Sequence, residues 1–307
     1  MKKMNLLVAG GGTAGFITAL ILKQNYGENI NVKMLIPEKI GIIGVGEGST
    51  EHFDDFRSFM GVSVEELISK TKATGKAGIK FVDWMRDKTY YHVLSADFQS
   101  IYAADEKALE WRIANKMYEN EMWVPRSIIN DDVEQTYEPG KVRENIQLKM
   151  SGLYQYHFNT FEMNKWLTEL ATKLNIELID DEIKEVKLND NGEIDELICE
   201  KGNHKADFYI DSTGFKRVLM SKLGAKWISY GDQLPLKEAI AFPTGDTDNY
   251  AITTLAKAMN CGWRWRIPTN GRHGNGYIYD TDFINKDQAI DEVQKEMGHD
   301  INVAKNI

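Results

Sequence analysis

Trp263 and Trp265 stand in the string CGWRWRIP, Cys261–Pro268, two residues apart. On a strand that spacing puts both indoles on one face and turns Arg264 and Arg266 to the other. Taken alone, such a pair is the pattern of a short amphipathic strand with an aromatic face. Pro268 has no N–H to give and is expected to end the ladder. A second candidate for chemistry is Lys76, in KATGKAGIKF over Lys72–Phe81. Its neighbours are small, so its amine can reach into a cavity. Lys70, Lys72 and Lys80 have equal formal claim, and a solvated lysine is the plain alternative. The third group is Gly10, Gly12 and Gly15, which satisfy G-x-G-x-x-G. Glycines so spaced permit a tight turn and let backbone approach a pyrophosphate at a helix N-terminus.

These residues need elements to hold them. Asn5–Ala9 reads as a buried parallel strand, and a helix follows the glycine turn with Ile17, Leu20 and Ile21 on its apolar side. Gly27 stops that helix, and Asn31–Ile36 supplies a second strand. Strand, glycine turn, helix and strand within some thirty residues form a βαβ unit, the setting in which the glycine motif signals nucleotide binding. A helix capped by Ser63 with Glu66 is expected to run into Lys76, and Gly78–Trp84 reads as a strand. Asn159 with Glu162 starts a helix through Leu174, and Asn191-Gly192 joins strands Ile183–Leu188 and Ile194–Cys199 in a hairpin. Ala206–Phe215, Ala239–Phe242, the tryptophan strand and Tyr277–Tyr279 are further strands. A last helix starts at an Asn285–Gln288 capping box, buries Ile290, Val293 and Met297, and stops at Gly298. The polar, aromatic stretch from about 87 to 152 carries no clear pattern.

Three further segments bear on a nucleotide site. Glu38, just past the second strand, stands near the place where an acidic residue binds ribose, although Pro37 intervenes; the alternative is an exposed loop charge. Gly44–Thr50, GVGEGST, can wrap a flat ring with backbone donors, or is a surface turn ahead of a helix. Asp211-Ser212-Thr213-Gly214 closes a strand as an Asp-x-x-Gly turn, beside a nucleotide or as an ordinary β-turn.

Composition narrows the function classes. The 307 residues suffice for one large or two modest domains. Lys and Arg number 37 and Asp and Glu 46, a net charge of −9 without a basic block, so nucleic acid is not an expected partner. Cys199 and Cys261 are too few and too far apart for a disulfide scaffold, and the six histidines contain no His-x-x-x-His pair, so no metal centre is expected. The start of the chain reads as a fold element and no apolar run is long enough to span a membrane. A reducing cytoplasm is the expected compartment, with no membrane association.

In this order the pieces resemble the flavin-dependent halogenases, above all the tryptophan halogenase family. GGGTAGF at Gly10–Phe16 is similar to that family's FAD loop, GVGEGST to its second flavin segment, DSTGF at Asp211–Phe215 to its later nucleotide strand, and W-x-W-x-I-P to its signature. GRHGNGYIYD at Gly271–Asp280 resembles the segment that follows, and Phe16 stands where the family commonly has tryptophan. The resemblance implies an α/β fold: a Rossmann-like FAD-binding fold of the flavin monooxygenase and halogenase type with a mixed β substrate-side region. Residues 1–85 and 155–225 would form the FAD-binding region, and 86–154 with 226–307 the substrate side. It implies Lys76 as the catalytic lysine. It implies flavin contacts at Gly10, Gly12, Thr13, Ala14, Gly15, Glu38, Gly46, Glu47, Ser49, Ile183 and Asp211. Trp263, Trp265, Ile267 and Pro268 would keep substrate away from the flavin.

In that family, reduced FAD from a separate flavin reductase reacts with oxygen to a hydroperoxide, and halide, the co-substrate, attacks it to give hypohalous acid. The lysine hydrogen-bonds this acid or forms a haloamine, and a small electron-rich aromatic such as tryptophan or indole is halogenated. Family members are longer, and their catalytic glutamate and last flavin strand are expected beyond Ile307. An incomplete gene product, a partner chain supplying the remainder, or a degenerate remnant would account for this. The alternatives to a halogenase are a flavin monooxygenase of the same fold and a non-catalytic FAD-binding remnant.

Overall fold

Leu6, Leu7, Val8 and Ala9 are all buried because their strand, Met4–Ala9, is covered on both faces, as a central parallel strand requires. A computed structural model of the chain describes residues 3–42, 44, 47–76, 78–85, 89–93, 134–135, 137–138, 141–142, 155–247, 250–251 and 253–304. The chain divides into two units, Met1–Ile43 with Thr160–Ser229 and Gly44–Asn159 with Tyr230–Ile307. The stretch 44–85 falls within the second unit. Most of 87–152 lies outside the described residues.

In the first unit the central strand is flanked in parallel by Ile30–Leu35 and Phe208–Asp211, and Glu177–Ile179 adds at the edge beyond Ile30–Leu35. The helices Thr13–Tyr26 and Thr160–Lys173 pack on one another and on this sheet. The first helix buries Phe16, Ala19, Leu20 and Lys23, whereas Ile21 is exposed. The apolar side is therefore rotated from Ile17, Leu20 and Ile21, because Lys23 buries its stem and hands its ammonium to the Gly27 and Ile30 carbonyls at 3.0 and 3.3 Å. Gly27 ends the helix with φ +53. An antiparallel meander, Ile183–Leu188, Ile194–Cys199 and Asn203–His204, covers the Leu7 and Ala9 face. Its core joins Leu7, Ala9 and Leu35 to Val186, Leu197 and Leu219.

The second unit holds a six-stranded sheet in the order Glu238–Thr244, Arg272–Tyr279, Gly262–Thr269, Thr253–Met259, Gly78–Val82 and Thr89–Val93. Only the pair Thr253–Met259 with Gly78–Val82 is parallel. The helix Lys286–Met297 is started by a full Asn285–Gln288 capping box and buries Ala289 and Val293 against Ile240, Phe242, Tyr277 and Tyr279. A separate three-stranded sheet pairs Glu47–Gly48 and Thr74–Gly75 with the two edges of Tyr156–Phe158. The Ser63-capped helix ends at Thr71, not at Lys76. Lys72 turns the chain out of it at φ +54, and Thr74–Gly75 is already strand. Among the described residues no helix is long and apolar enough to cross a membrane.

Candidate active site

Gly10 has φ +112, and a Cβ there would stand 2.2 Å from the Ser212 carbonyl oxygen. A Cβ at Gly15 would stand 2.3 Å from the Gly10 carbonyl oxygen. Those two glycines let the turn, the helix and the Ser212 backbone close on each other. Gly12 differs: a Cβ there meets nothing within 4 Å, and Gly12 is the N-cap of a helix that no side chain caps. Asn164 steadies the turn by donating to the Gly11 carbonyl at 2.7 Å. The first unit therefore presents an open helix N-terminus with Thr13 and Ala14 in its first turn, the geometry that favours a bound anion.

In the second unit Lys76 is buried, with 6% of its surface exposed, although it is a lysine. Its amine donates to the Ser49 carbonyl at 3.0 Å. Its terminal carbons and nitrogen lie across Gly48, where a Cβ would fall 2.9 Å from Nζ. The backbone around it is tightly registered. Lys76 N–H donates to the Gln155 carbonyl, Ser49 N–H to the Tyr156 carbonyl, and Tyr156 N–H to Ser49 Oγ at 2.8 Å. The Tyr156 hydroxyl donates to Asp54 at 3.0 Å, and Asp54 is itself ion-paired to Arg57.

This lysine segment is joined to the tryptophan strand, some 190 residues away in sequence. Thr74 Oγ donates to the Pro268 carbonyl at 2.7 Å, wholly inside the protein. His157, also fully buried, lies 3.4 Å from Thr74 Oγ through Nδ1 and 2.8 Å from Thr254 Oγ through Nε2. Burial, with the Lys76 charge alongside, holds the His157 pKa well below the ordinary histidine range, so the ring is neutral. Asn270 N–H donates to the Lys72 carbonyl, closing the same seam. His157 and Thr254 are thus parts of the site that lie in no motif, and Thr74 and Gly48 lie inside the KATGKAGIKF and GVGEGST strings without a role of their own there; each acts through a contact distant in sequence, which no local spacing announces.

Trp263 and Trp265 do share a face, with ring centroids 5.9 Å apart, and Trp84 extends the row at 6.0 Å from Trp263. The Trp265 indole lies over Gly276, where a Cβ would come within 2.1 Å of the ring. Ile267 and Pro268 are buried. The strand continues through Pro268 to Thr269, paired with His273 and Arg272. Pro268 is tolerated because pairing with Thr253–Met259 stops at Arg266, so its missing N–H leaves no neighbour unserved. On the opposite face, Arg264 meets Glu296 at 2.7 Å beside a crevice of about 340 Å³ also lined by Lys80, Lys257 and Arg266. That crevice includes neither Lys76 nor the tryptophans.

The remaining candidates fall in varied places. Glu47 pairs with Phe158 in the three-stranded sheet. Gly46 lies outside the described residues. Glu38 is exposed beside a cavity of about 430 Å³, its N–H donating to Asp180 at 2.9 Å. Ile183 packs against the core of the first unit. Asp211 receives N–H groups from Thr213, Leu219 and Met220, along with the Thr213 hydroxyl, so its carboxylate organises the turn and the following helix.

A family model for tryptophan halogenase matches residues 5–306. The chain belongs to the tryptophan halogenase family. Tryptophan 6-halogenase SttH of Streptomyces toxytricini is 30% identical over 319 residues, covering 95% of this chain and 60% of the relative. Tryptophan 7-halogenase RebH of Lentzea aerocolonigenes is 27% identical over 309 residues, covering 94% and 57%. Among solved structures, Tar14, a tryptophan C-6 flavin-dependent halogenase (chlorinase) from taromycin biosynthesis, superposes with a TM-score of 0.80 at 28% identity, covering 98% of this chain and 62% of that one. The chain thus spans about 60% of the length of the curated relatives it matches. The α/β class and the flavin-halogenase type of fold read from the sequence are borne out.

Proposed function

We propose that the protein is an FAD-dependent halogenase, acting on an electron-rich aromatic of the tryptophan or indole class with Lys76 as the residue that presents the halogen. The observation that carries this reading is the burial of the Lys76 amine at the Ser49 carbonyl, on a segment fastened to the W-x-W-x-I-P strand by the Thr74–Pro268 hydrogen bond. The Gly10–Gly15 turn fits the pyrophosphate of FAD: the helix head is uncapped and the space off Gly12 is open. When bound and reduced, FAD supplies the oxygen activation that converts halide to hypohalous acid.

The chain's own part is to hold and aim. Lys76 donates hydrogen bonds to the hypohalous acid and fixes its halogen at one point; its burial keeps bulk water from that point. Neutral His157 adds no second positive charge beside the amine. In the overall exchange a ring C–H becomes C–X, and the hydroxide released takes up the ring proton as water. The resemblance to the family supports a role for the paired indoles of Trp263 and Trp265 in keeping substrate from the flavin, and they share one face of their strand. A separate flavin reductase supplies the reduced cofactor. The test is incubation of the protein with reduced FAD, oxygen, chloride or bromide, and tryptophan or indole, with products resolved by mass spectrometry. A halogenated ring is the expected product. A hydroxylated ring formed without halide points to a monooxygenase, and failure to bind FAD at tens of micromolar contradicts the reading altogether.

A further inference from the structure

Asp181, Cys199 and His204 come from three separate elements of the first unit, yet the ligand atoms they offer all lie within 4.8 Å of one another. Asp181 sits in the loop between Glu177–Ile179 and Ile183–Leu188. Its Oδ1 accepts from the Glu182 and Lys201 N–H groups, each at 2.9 Å, which fixes the carboxylate and turns Oδ2 inward. Oδ2 then faces His204 Nε2 at 3.2 Å. The hairpin supplies the other two ligands. Leu197 pairs directly with His204, and Cys199, two residues along its strand, projects to the same side. The Cys199 N–H donates to the Gly202 carbonyl, holding the turn between them.

We infer that Asp181, Cys199 and His204 form a zinc-class metal site, with carboxylate, thiolate and imidazole as three ligands of a tetrahedral divalent ion and water as the fourth. The ligand types are those that borderline-soft ions such as Zn²⁺ and Co²⁺ select. The oxygen–nitrogen spacing fits: bonds of about 2.0–2.1 Å to nitrogen and oxygen at a tetrahedral angle separate those atoms by about 3.3 Å, against 3.2 Å between Oδ2 and Nε2, and the Cys199 sulfur lies within 4.8 Å of the ligand atoms of both. Charge fits as well, since carboxylate and thiolate together neutralise a divalent ion in a place where an unbalanced charge would be costly. Asp181 and Cys199 are buried, while 17% of the His204 side chain is exposed. Asp181 also lines the cavity of about 430 Å³. The nearby cations are matched by carboxylates, Lys201 by Asp180 and Lys39 by Glu182 and Glu200. Ligand binding here would clamp the meander to the loop that leaves the parallel sheet. Coordination replaces the S–H bond by a metal–sulfur bond, and the proton goes to the buffer.

None of the three ligands is itself among the residues proposed to bind FAD or act on halogen, although Asp181 shares its cavity with Glu38 and stands two residues from Ile183; the test therefore reads metal binding directly and does not depend on turnover. The full chain is stripped with a chelator and titrated with Co²⁺. Expected are the near-ultraviolet thiolate-to-cobalt band and the visible bands of tetrahedral cobalt, saturating at one ion per chain. One proton should be released per ion, and Zn²⁺ should displace the cobalt. Zn²⁺ at about 100 times its Kd should raise the Tm by about 5 °C or more. Cys199→Ala and the milder His204→Gln should each lose the bands or weaken binding about 100-fold, whereas Cys261→Ala should keep them. Absence of the thiolate band in the folded wild-type chain overturns the inference. So does a band that survives Cys199→Ala or disappears with Cys261→Ala. If Cys199→Ala does not fold, the wild-type spectrum and His204→Gln decide.

Discussion

Gly48→Ala is the most discriminating single change in the second unit. A Cβ at position 48 would stand 2.9 Å from Lys76 Nζ and 3.3 Å from both Cδ and Cε. Ordinary contacts between such atoms are about 3.5–4.0 Å, so the amine end must retreat by roughly 0.6–1 Å. The Lys76–Ser49 hydrogen bond is 3.0 Å, so the same retreat breaks it or bends it badly. Because only the far end of a flexible side chain has to move, the fold should survive. Position 48 is in a strand outside the left-handed region, so alanine also limits the unfolded chain, by about 0.4–1 kcal/mol, which offsets the crowding. The stability change should therefore stay within about 1 kcal/mol, or a Tm shift of about 2–4 °C. Catalysis should respond far more, since a reacting group misplaced by about 1 Å costs on the order of 10²-fold. The assay is paired: calorimetric Tm, and halogenated product formed per reduced FAD consumed. A Tm within about 4 °C of wild type with product yield down about 100-fold is expected. Wild-type yield in Gly48→Ala would refute the claim that the position of this amine matters.

Thr74→Val removes a donor and leaves the buried Pro268 carbonyl unserved, which should cost about 1–3 kcal/mol in denaturant unfolding and loosen the tie between the lysine segment and the tryptophan strand. Gly10→Ala and Gly12→Ala should part company. The first puts a Cβ 2.2 Å from backbone at φ +112 and should destabilise by several kcal/mol, whereas the second meets open space and should leave the Tm near wild type while weakening FAD binding, read by fluorescence titration. Acid should destabilise the protein through buried histidines. His273 is held at about 4, chiefly by burial, and burial likewise holds His157 well below the ordinary histidine range. Because the unfolded histidines take up protons first, near pH 6.5, stability should fall as pH drops below that value, by about 1.4 kcal/mol per pH unit for each. The His273 share should end near pH 4, and His157→Gln should flatten the slope in pH-dependent denaturant curves.

The βαβ start was legible because its signals are local: an apolar run, three glycines at fixed offsets, and Gly27 as a stop. The Asn285–Gln288 capping box and the Asn191-Gly192 hairpin were readable for the same reason. The lysine segment misled. Ser63 and Glu66 announce a helix start, but nothing nearby marks its end, because Lys72 takes the left-handed conformation that usually falls to glycine or asparagine. Thr74–Gly75, just before position 76, then joins a small sheet whose central strand, Tyr156–Phe158, comes from about 80 residues away. His157 has no motif of its own; its role follows from Thr74 and Thr254, which the fold alone brings to it. The rotated apolar side of the first helix has a similar origin, since a lysine can be buried when backbone carbonyls receive its amine. Asp211 was read as lying beside a nucleotide or in an ordinary β-turn, and its carboxylate receives backbone and hydroxyl donors of that turn and the following helix.

The most direct test of the proposed function is Lys76→Ala, followed by stopped-flow flavin oxidation and by product analysis on the same sample. The account predicts that reduced FAD is still oxidised at close to the wild-type rate while halogenated product falls by at least about 10²-fold. Halogenated product at an undiminished rate would show that this buried amine does not present the halogen.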